Sequence, residues 1–396
     1  EAEFVGYGAS GRNGGWLSSE LAGSRSNYAR GPAGQEGVNH LANALAQSVD
    51  EVIGICEREG IEADIVKNGV IYAARSKAQL VRMKESIAED YSDSHTVELS
   101  ASELRDRVNV AGALGGVFNP ECARVQPAKL VRGLAKVVRE LGVMIYEGTR
   151  VEAIEPGVAS TPLGNVRAGH VLRCLEGYTA GIAGKRREWL PMNSAMVVTE
   201  PLRAEHWAEI GWTGRELLGD FASAYFYAQR TADDRIAIGG RGIPYRFGSR
   251  TDVNGQTQEW TIASLRSILD GAFPALRDVP LAHAWCGVLG VPRDWCASVG
   301  VDPHTGLGWA GGYVGSGLTA TNLAGRTLRD LVLRRDTELT ALPWTGRSVR
   351  AWEPEPLRWL GVRAMYGLYR EADRREAKGL DRPSRFARIG DRISGR

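Results

Sequence analysis

The chain has 396 residues, 43% of them hydrophobic and 24% charged, with a formal net charge of +2. Those values describe a globular protein with a large core shared between two lobes and exclude a disordered or fibrous chain. The near-balanced charge gives no reason to expect nucleic acid, and the five cysteines and six histidines are scattered without metal-ligand spacing.

Cys56, Cys122, Cys174, Cys286 and Cys296 therefore read as reduced thiols, and a cytoplasmic location is expected. No apolar run is long enough to span a bilayer, and no signal peptide is recognisable. The 49 glycines exceed the usual ~7% and gather in loops, as where backbone must approach a ligand.

Taken in order, residues 6–16 read Gly-Tyr-Gly-Ala-Ser-Gly-Arg-Asn-Gly-Gly-Trp. Gly6, Gly8 and Gly11 match G-x-G-x-x-G literally. That fingerprint requires a preceding buried strand and an acidic residue about 20 positions later. Only Glu1 to Val5 precede it and no acid sits near that offset, so the loop is not the first turn of a dinucleotide-binding unit. Residues 33–60 carry a helical apolar stripe from Ala42 to Cys56, closed by Gly60. Residues 69–74 are a strand, residues 77–89 an amphipathic helix, and Ser102 opens another helix with Glu103 in its first turn. Pro127 starts a helix ending at Gly142, and Val143 to Glu147 follow as a buried strand. Short strands continue at 151–154, 166–168 and 170–172, which is α/β grammar.

The middle of the chain changes pattern. Residues 194–199 form a strand, and 225–230 and 235–240 alternate with period two around a turn at 231–234, a hairpin of an antiparallel sheet. A helix covers 260–269. The chain returns to α/β at the strand 306–310, the loop 311–317 and a helix from 319 to 334. Residues 345–396 hold 13 Lys/Arg against 7 Asp/Glu, 13 − 7 = +6, in a basic amphipathic segment. It reads as a helix packed on the body, with membrane-surface contact as the lesser reading.

The 311–317 loop, Gly-Gly-Tyr-Val-Gly-Ser-Gly, joins a strand to a helix N-terminus and so aims backbone N–H groups and a positive dipole end at one place. Such a site stabilises a phosphate, an oxyanion or the pyrimidine edge of a reduced flavin. The competing interpretation is an ordinary strand-to-helix turn.

Gly8-Ala9-Ser10-Gly11-Arg12-Asn13-Gly14-Gly15, paired with the 312–317 loop and Thr321-Asn322-Leu323-Ala324-Gly325-Arg326, resembles the FAD-dependent oxidoreductases of the D-amino-acid oxidase superfamily. Within it the chain looks most like the glycine oxidase and gamma-glutamylputrescine oxidoreductase branch. The resemblance implies an α/β plus antiparallel-β architecture: a discontinuous Rossmann-like FAD-binding domain (1–60, 125–192 and 285–344), a mixed or antiparallel-sheet substrate domain (61–124 and 193–284), and the basic tail 345–396. It implies that the family's own G-x-G-x-x-G unit belongs upstream of Glu1, so the FAD domain is expected to be N-terminally incomplete.

The resemblance also implies site residues. Glu1 is the expected ribose ligand, with Glu3 if the register slips. Ala9, Ser10, Arg12, Asn13, Gly14, Gly15, Trp16 and Leu17 should run along the flavin, and Val151 should meet the adenine. Gly177 lies where the family has an Ala-Thr-Gly-like strand end, from which Cys174-Leu175-Glu176-Gly177 departs. Gly312, Tyr313, Val314, Gly315, Ser316, Gly317, Leu318 and Thr319 should hold the flavin pyrimidine. Neither loop carries a His or Cys, so noncovalent FAD is expected.

The implied reaction is oxidation of the C–N bond of an amine or amino acid, with oxygen or another electron acceptor. Candidates for the substrate face are Tyr225, Tyr227, Arg241, Tyr245 and Arg250, where an Arg could bind a carboxylate bidentately. Trp285 and the turn at Pro292-Arg293-Asp294 could flank the flavin or be structural. Two other readings stay open: a hydroxy-acid or polyol-phosphate dehydrogenase on the same fold, and a fragment unable to hold FAD, which would purify colourless.

Overall fold

The structure, a computed structural model, describes residues 1–89, 95–240 and 245–394. Its centre is an eight-stranded sheet. The strands run in the order Leu281–Val291, Leu190–Thr199, Ile236–Gly240, Phe226–Arg230, Leu217–Asp220, Val70–Ala74, Gly115–Asn119 and Val97–Ser100. The pair 217–220 with 70–74 is parallel, and the other neighbours are antiparallel. The expected hairpin thus lies in mid-sheet, where the alternation of its apolar residues buries Phe226, Ala228, Ile236 and Ile238 against Leu265 and Leu269 of the helix Glu259–Ala272 and Phe273 just after it.

A second body holds the α/β part. A three-stranded sheet joins Ser298–Val301, Leu307–Gly311 and Val171–Arg173, the last two parallel. Against it pack the helices Gly34–Arg58 and Gly317–Val332, sharing Leu41, Leu45, Val299, Ala310, Leu323, Ala324 and Trp344 in one core. The ribbon formed by Trp16–Ser18 and Cys122–Arg124 links the two bodies. The architecture is therefore mixed α/β with an antiparallel-dominated sheet. Among the described residues all five cysteines are free, and no helix is long and apolar enough to cross a membrane.

Two local expectations are corrected, and one strand was not foreseen. The helix expected to open at Ser102 is Ala101–Arg107, capped by Ser100, whose side chain and Glu103 form a reciprocal capping box; Ser100 is two residues nearer the strand than the pattern suggested. Val143 to Glu147 is not a buried strand. It is irregular, with Met144 75% and Tyr146 60% exposed, because no sheet neighbour lies along it among the described residues. Instead Gly148 and Thr149 donate to the carbonyls of Glu3 and Glu1, each at 2.8 Å. The eleven-residue strand Leu281–Val291 was not legible, since Gly287, Gly290 and the polar His283 interrupt its alternation.

The basic C-terminal segment is tied into the body. In the helix Leu357–Ala377 the buried Val362, Met365, Tyr366 and Tyr369 pack with Leu190, Met192, Tyr245 and Trp295. Asp373 accepts from the backbone N–H groups of Ser223 and Ala224, both at 2.8 Å. Glu376, 3% exposed, takes both ends of the Arg82 guanidinium at 2.9 and 2.6 Å. Removing one member of such a shielded pair leaves an uncompensated charge. Glu376→Ala should therefore cost on the order of 3 kcal/mol in urea unfolding, whereas Asp381→Ala, which breaks an exposed pair with Lys77, should leave the midpoint unmoved. Equal midpoint shifts for the two would contradict this placement.

Candidate active site

Between the two bodies lies one large cavity of about 1380 Å³, above the ~300–1,000 Å³ of ordinary small-molecule sites. One wall is the opening loop. Ala9–Arg12 forms a single helical turn, and Asn13 clasps it: Nδ2 donates to the carbonyls of Ala9 and Ser10 at 3.1 and 3.0 Å, and Oδ1 accepts from Gly15 N at 2.8 Å. The chain then passes flush against the large sheet. The Tyr227 ring packs on Gly14, where an added Cβ would come within 2.9 Å of two ring carbons. Gly15 sits at φ +69° with its Cβ direction 2.1 Å from the Val125 carbonyl oxygen, so only glycine fits. Gln229 Nε2 donates to the Gly14 carbonyl at 2.6 Å. Arg12 pairs with buried Asp252 at 3.3 Å and lies 4.4 Å above the Tyr7 ring, and its carbonyl accepts from Trp285 Nε1 at 2.9 Å.

The second wall is the N-terminus of helix 317–332. Ser316 stands at the cap position without a side-chain cap bond, and Gly315, Ser316, Gly317 and Leu318 line the cavity. The positive helix end is thus turned toward the enclosed space. Part of the preceding loop has a partner from its own chain: the Glu176 carboxylate accepts from Tyr313 N at 2.9 Å and from Gly290 N. Burial pushes Glu176 up to about 7, against the pull of those backbone donors. The third wall is aromatic, with Trp16, Tyr72, Phe221, Tyr225 and Tyr227.

The structure brings together Ala9, Ser10, Arg12, Asn13, Gly14, Trp16, Tyr313, Val314, Gly315, Ser316, Gly317 and Leu318 around this cavity, with Tyr225 and Tyr227 opposite. Gly15, Leu17, Gly177, Gly312 and Thr319 are not on its surface. Leu17 and Thr319 are buried, at 0% and 2% exposure. Glu1 and Val151 also lie off it: Glu1 is exposed, its amino group donates to the Tyr146 carbonyl at 3.0 Å, and its carboxylate accepts from Glu3 N at 3.2 Å. Two expected substrate residues are elsewhere. The Tyr245 hydroxyl donates to Glu355, and Tyr245 and Arg250 line a separate cavity of about 250 Å³. Tyr245 is drawn there by Glu355, which stands just before the helix Leu357–Ala377, and Trp359 of that helix lines the same cavity. Arg241 lies outside the described residues.

Sequence reasoning missed Glu20, Glu176, Asp220, Gln229 and Asp252. An acid or amide inside an otherwise apolar strand was the available signal for Asp220 and Gln229. Glu176 stands in the Cys-Leu-Glu-Gly run noticed only as a departure.

The residues at this cavity fit the ring end of a flavin. The uncapped helix end suits the negative charge of a reduced ring, the Gly14–Gly15 passage admits close backbone approach, and the buried Trp16 Nε1 is an unpartnered donor in the wall.

Glu176 gives a pH test. Its folded pKa lies above its ordinary value, so the native state holds the extra proton and stability falls as pH rises from 4.5 to about 7. Melting temperature should decline across that window and the decline should flatten in Glu176→Gln. An unchanged slope in the variant would refute the assignment.

The family profile for FAD dependent oxidoreductases (DAO) matches residues 1–331. The chain is 27% identical over 351 residues to a probable oxidoreductase OrdL of Rhizobium meliloti, covering 85% of this chain and 77% of that protein. It is 27% identical over 349 residues to gamma-glutamylputrescine oxidoreductase of Escherichia coli, covering 85% and 78%. A solved structure of glycine oxidase from Geobacillus kaustophilus superposes with a TM-score of 0.70 at 20% identity, over 88% of this chain and 91% of that one. With the profile spanning most of its length, the chain belongs to the FAD dependent oxidoreductase family.

Proposed function

We propose that this FAD-dependent oxidoreductase acts on the carbon–nitrogen bond of an amine or amino acid. When bound, FAD supplies the two-electron acceptor for hydride from the carbon beside nitrogen, leaving an imine that hydrolyses to a carbonyl compound. The observation that carries this reading is the opposition, across one cavity, of an uncapped helix end and an aromatic wall. Residues 9–16 and 313–318 hold the ring, and the helix end favours the charge that develops on it. Trp16, Tyr225 and Tyr227 bound an apolar slot that excludes water from the reacting carbon. Tyr227 is fixed by a 2.8 Å hydrogen bond between its hydroxyl and Ser194 Oγ.

On this reading residues 1–60, 125–192 and 285–344 carry the cofactor, and 61–124 with 193–284 present the substrate face. Segments 9–17 and 312–319 contain neither Cys nor His, which favours noncovalent FAD. The printed activities of gamma-glutamylputrescine oxidoreductase and glycine oxidase support amines over hydroxy acids. Oxygen or a separate electron carrier is the final acceptor.

The test is the visible spectrum of the FAD-loaded chain during anaerobic addition of amines, amino acids and hydroxy acids. Bleaching by amines or amino acids alone is expected; bleaching by hydroxy acids alone would overturn the proposal. Acid precipitation should release the yellow colour into solution. Tyr227→Phe, which keeps the ring and removes one hydrogen bond, should lower kcat/KM about 5-fold with the flavin spectrum retained.

A further inference from the structure

Glu20 stands in the wall of the main cavity, in an unusual electrostatic position. Its carboxylate accepts from the Tyr72 hydroxyl, and its own backbone N–H is held by Ser18 Oγ at 3.1 Å. Among the described residues no Lys, Arg or His forms an ion pair with it. A carboxylate has about four acceptor sites, and the side-chain donors that meet this one are two neutral hydroxyls, those of Tyr72 and Ser18. Its near neighbours include Tyr72 and Cys122, the latter with its Sγ 3.7 Å from Ser18 Oγ, and the Tyr72 ring in turn meets those of Trp16 and Phe221. Burial raises its pKa from the ordinary value. An acid so placed is costly unless a cation arrives to satisfy it.

The aromatic rings form an ordered path to it. Tyr227 lies on Gly14 in the expected flavin wall. The Trp16 ring meets Tyr227 edge-on at 6.2 Å and Tyr72 at 5.9 Å, and Tyr72 meets Phe221 at 5.8 Å. Along these contacts the rings of Trp16 and Tyr72 stand between Tyr227 and Glu20. An ammonium entering this far end would find a carboxylate and several ring faces, a combination that favours alkylammonium groups. Asp220, in the same cavity, is less available, because its carboxylate already accepts from Phe226 N at 3.2 Å and is raised to about 6 by burial.

We propose that Glu20, oriented by Tyr72, is a specificity-determining residue that binds a second, unreactive ammonium of the substrate, so that the preferred substrates are amines carrying a distal positive charge. This rests on the amine-oxidising reading above and names its substrate class. The reacting nitrogen sits beside Tyr227 and the distal ammonium on Glu20, with the intervening methylenes along Trp16 and Tyr72.

The experiment compares straight-chain diamines of three to six carbons with monoamines of the same length on the FAD-loaded chain. It reads anaerobic flavin reduction and, separately, the ligand-induced rise in melting temperature. The best diamine should exceed its monoamine by roughly 10- to 100-fold in kcat/KM, as expected for a charged hydrogen bond in a shielded site. Glu20→Gln should bring that ratio close to one, and Glu20→Lys should turn the preference toward amines with a distal carboxylate. Tyr72→Phe, which keeps the ring, should lower the ratio several-fold and serves as the comparison if Glu20 variants do not fold. A wild-type ratio near one, or a ratio that survives Glu20→Gln, overturns the proposal while amine bleaching of the flavin leaves the broader reading standing. Absence of bleaching by any amine instead defeats the broader reading. In that case a melting shift that is larger for diamines and lost in Glu20→Gln still supports the ammonium site, and its absence overturns it.

Discussion

The cavity depends on the way residues 13–16 cross the face of the large sheet. At Gly15 a side chain would collide with the Val125 carbonyl, and at Gly14 it would displace the Tyr227 ring. The close passage leaves two backbone polar groups to be satisfied in a dry place, and the protein does so with amides: Asn13 from the loop itself and Gln229 from the sheet. Neutral amides suit this task, Asn13 accepting from Gly15 N and Gln229 donating to the Gly14 carbonyl, since they satisfy the backbone without adding a charge beside the ring site. The same crossing brings Trp16 against Tyr72 and Tyr227, so one backbone constraint arranges both the cofactor wall and the substrate wall.

Buried acids give the cavity its electrostatic character. Glu176 grips the 313 loop from behind, Asp220 holds the start of the strand 226–230, and Glu20 faces the open space. Each is raised by desolvation. Glu176 and Glu20 meet hydroxyls or backbone N–H groups rather than a full counter-charge, and Asp220 meets the backbone of Phe226 with Arg75 as its nearby positive charge. Arg12 differs, because Asp252 neutralises it directly, so its charge is spent within the protein.

The sequence made visible whatever depends on local periodicity or on glycine. The helices 34–58, 127–140 and 317–332, the mid-sheet hairpin and the two glycine loops all carry their pattern within twenty or so residues. What was not visible depends on partners far along the chain. Val143 to Glu147 has strand-like residues, yet a strand is defined by its neighbour. Tyr245 sits near the expected substrate face in sequence, but Glu355, 110 positions later, captures its hydroxyl. Gln229 and Glu176 are ordinary polar residues until the fold places a carbonyl or an N–H opposite them. Glycines announce a site; the polar groups that tune it are set by long-range packing.

The helix 357–377 lends Tyr366 to the wall of the cavity and anchors its far end on the turn after strand 217–220 through Asp373. During synthesis, then, the first wall emerges from the ribosome near residue 9 and waits for more than three hundred further residues before the enclosure can close. Until then the apolar surface around Leu190, Met192 and Trp295, which that helix covers, stands open to water. The late helix is therefore a seal as well as a support.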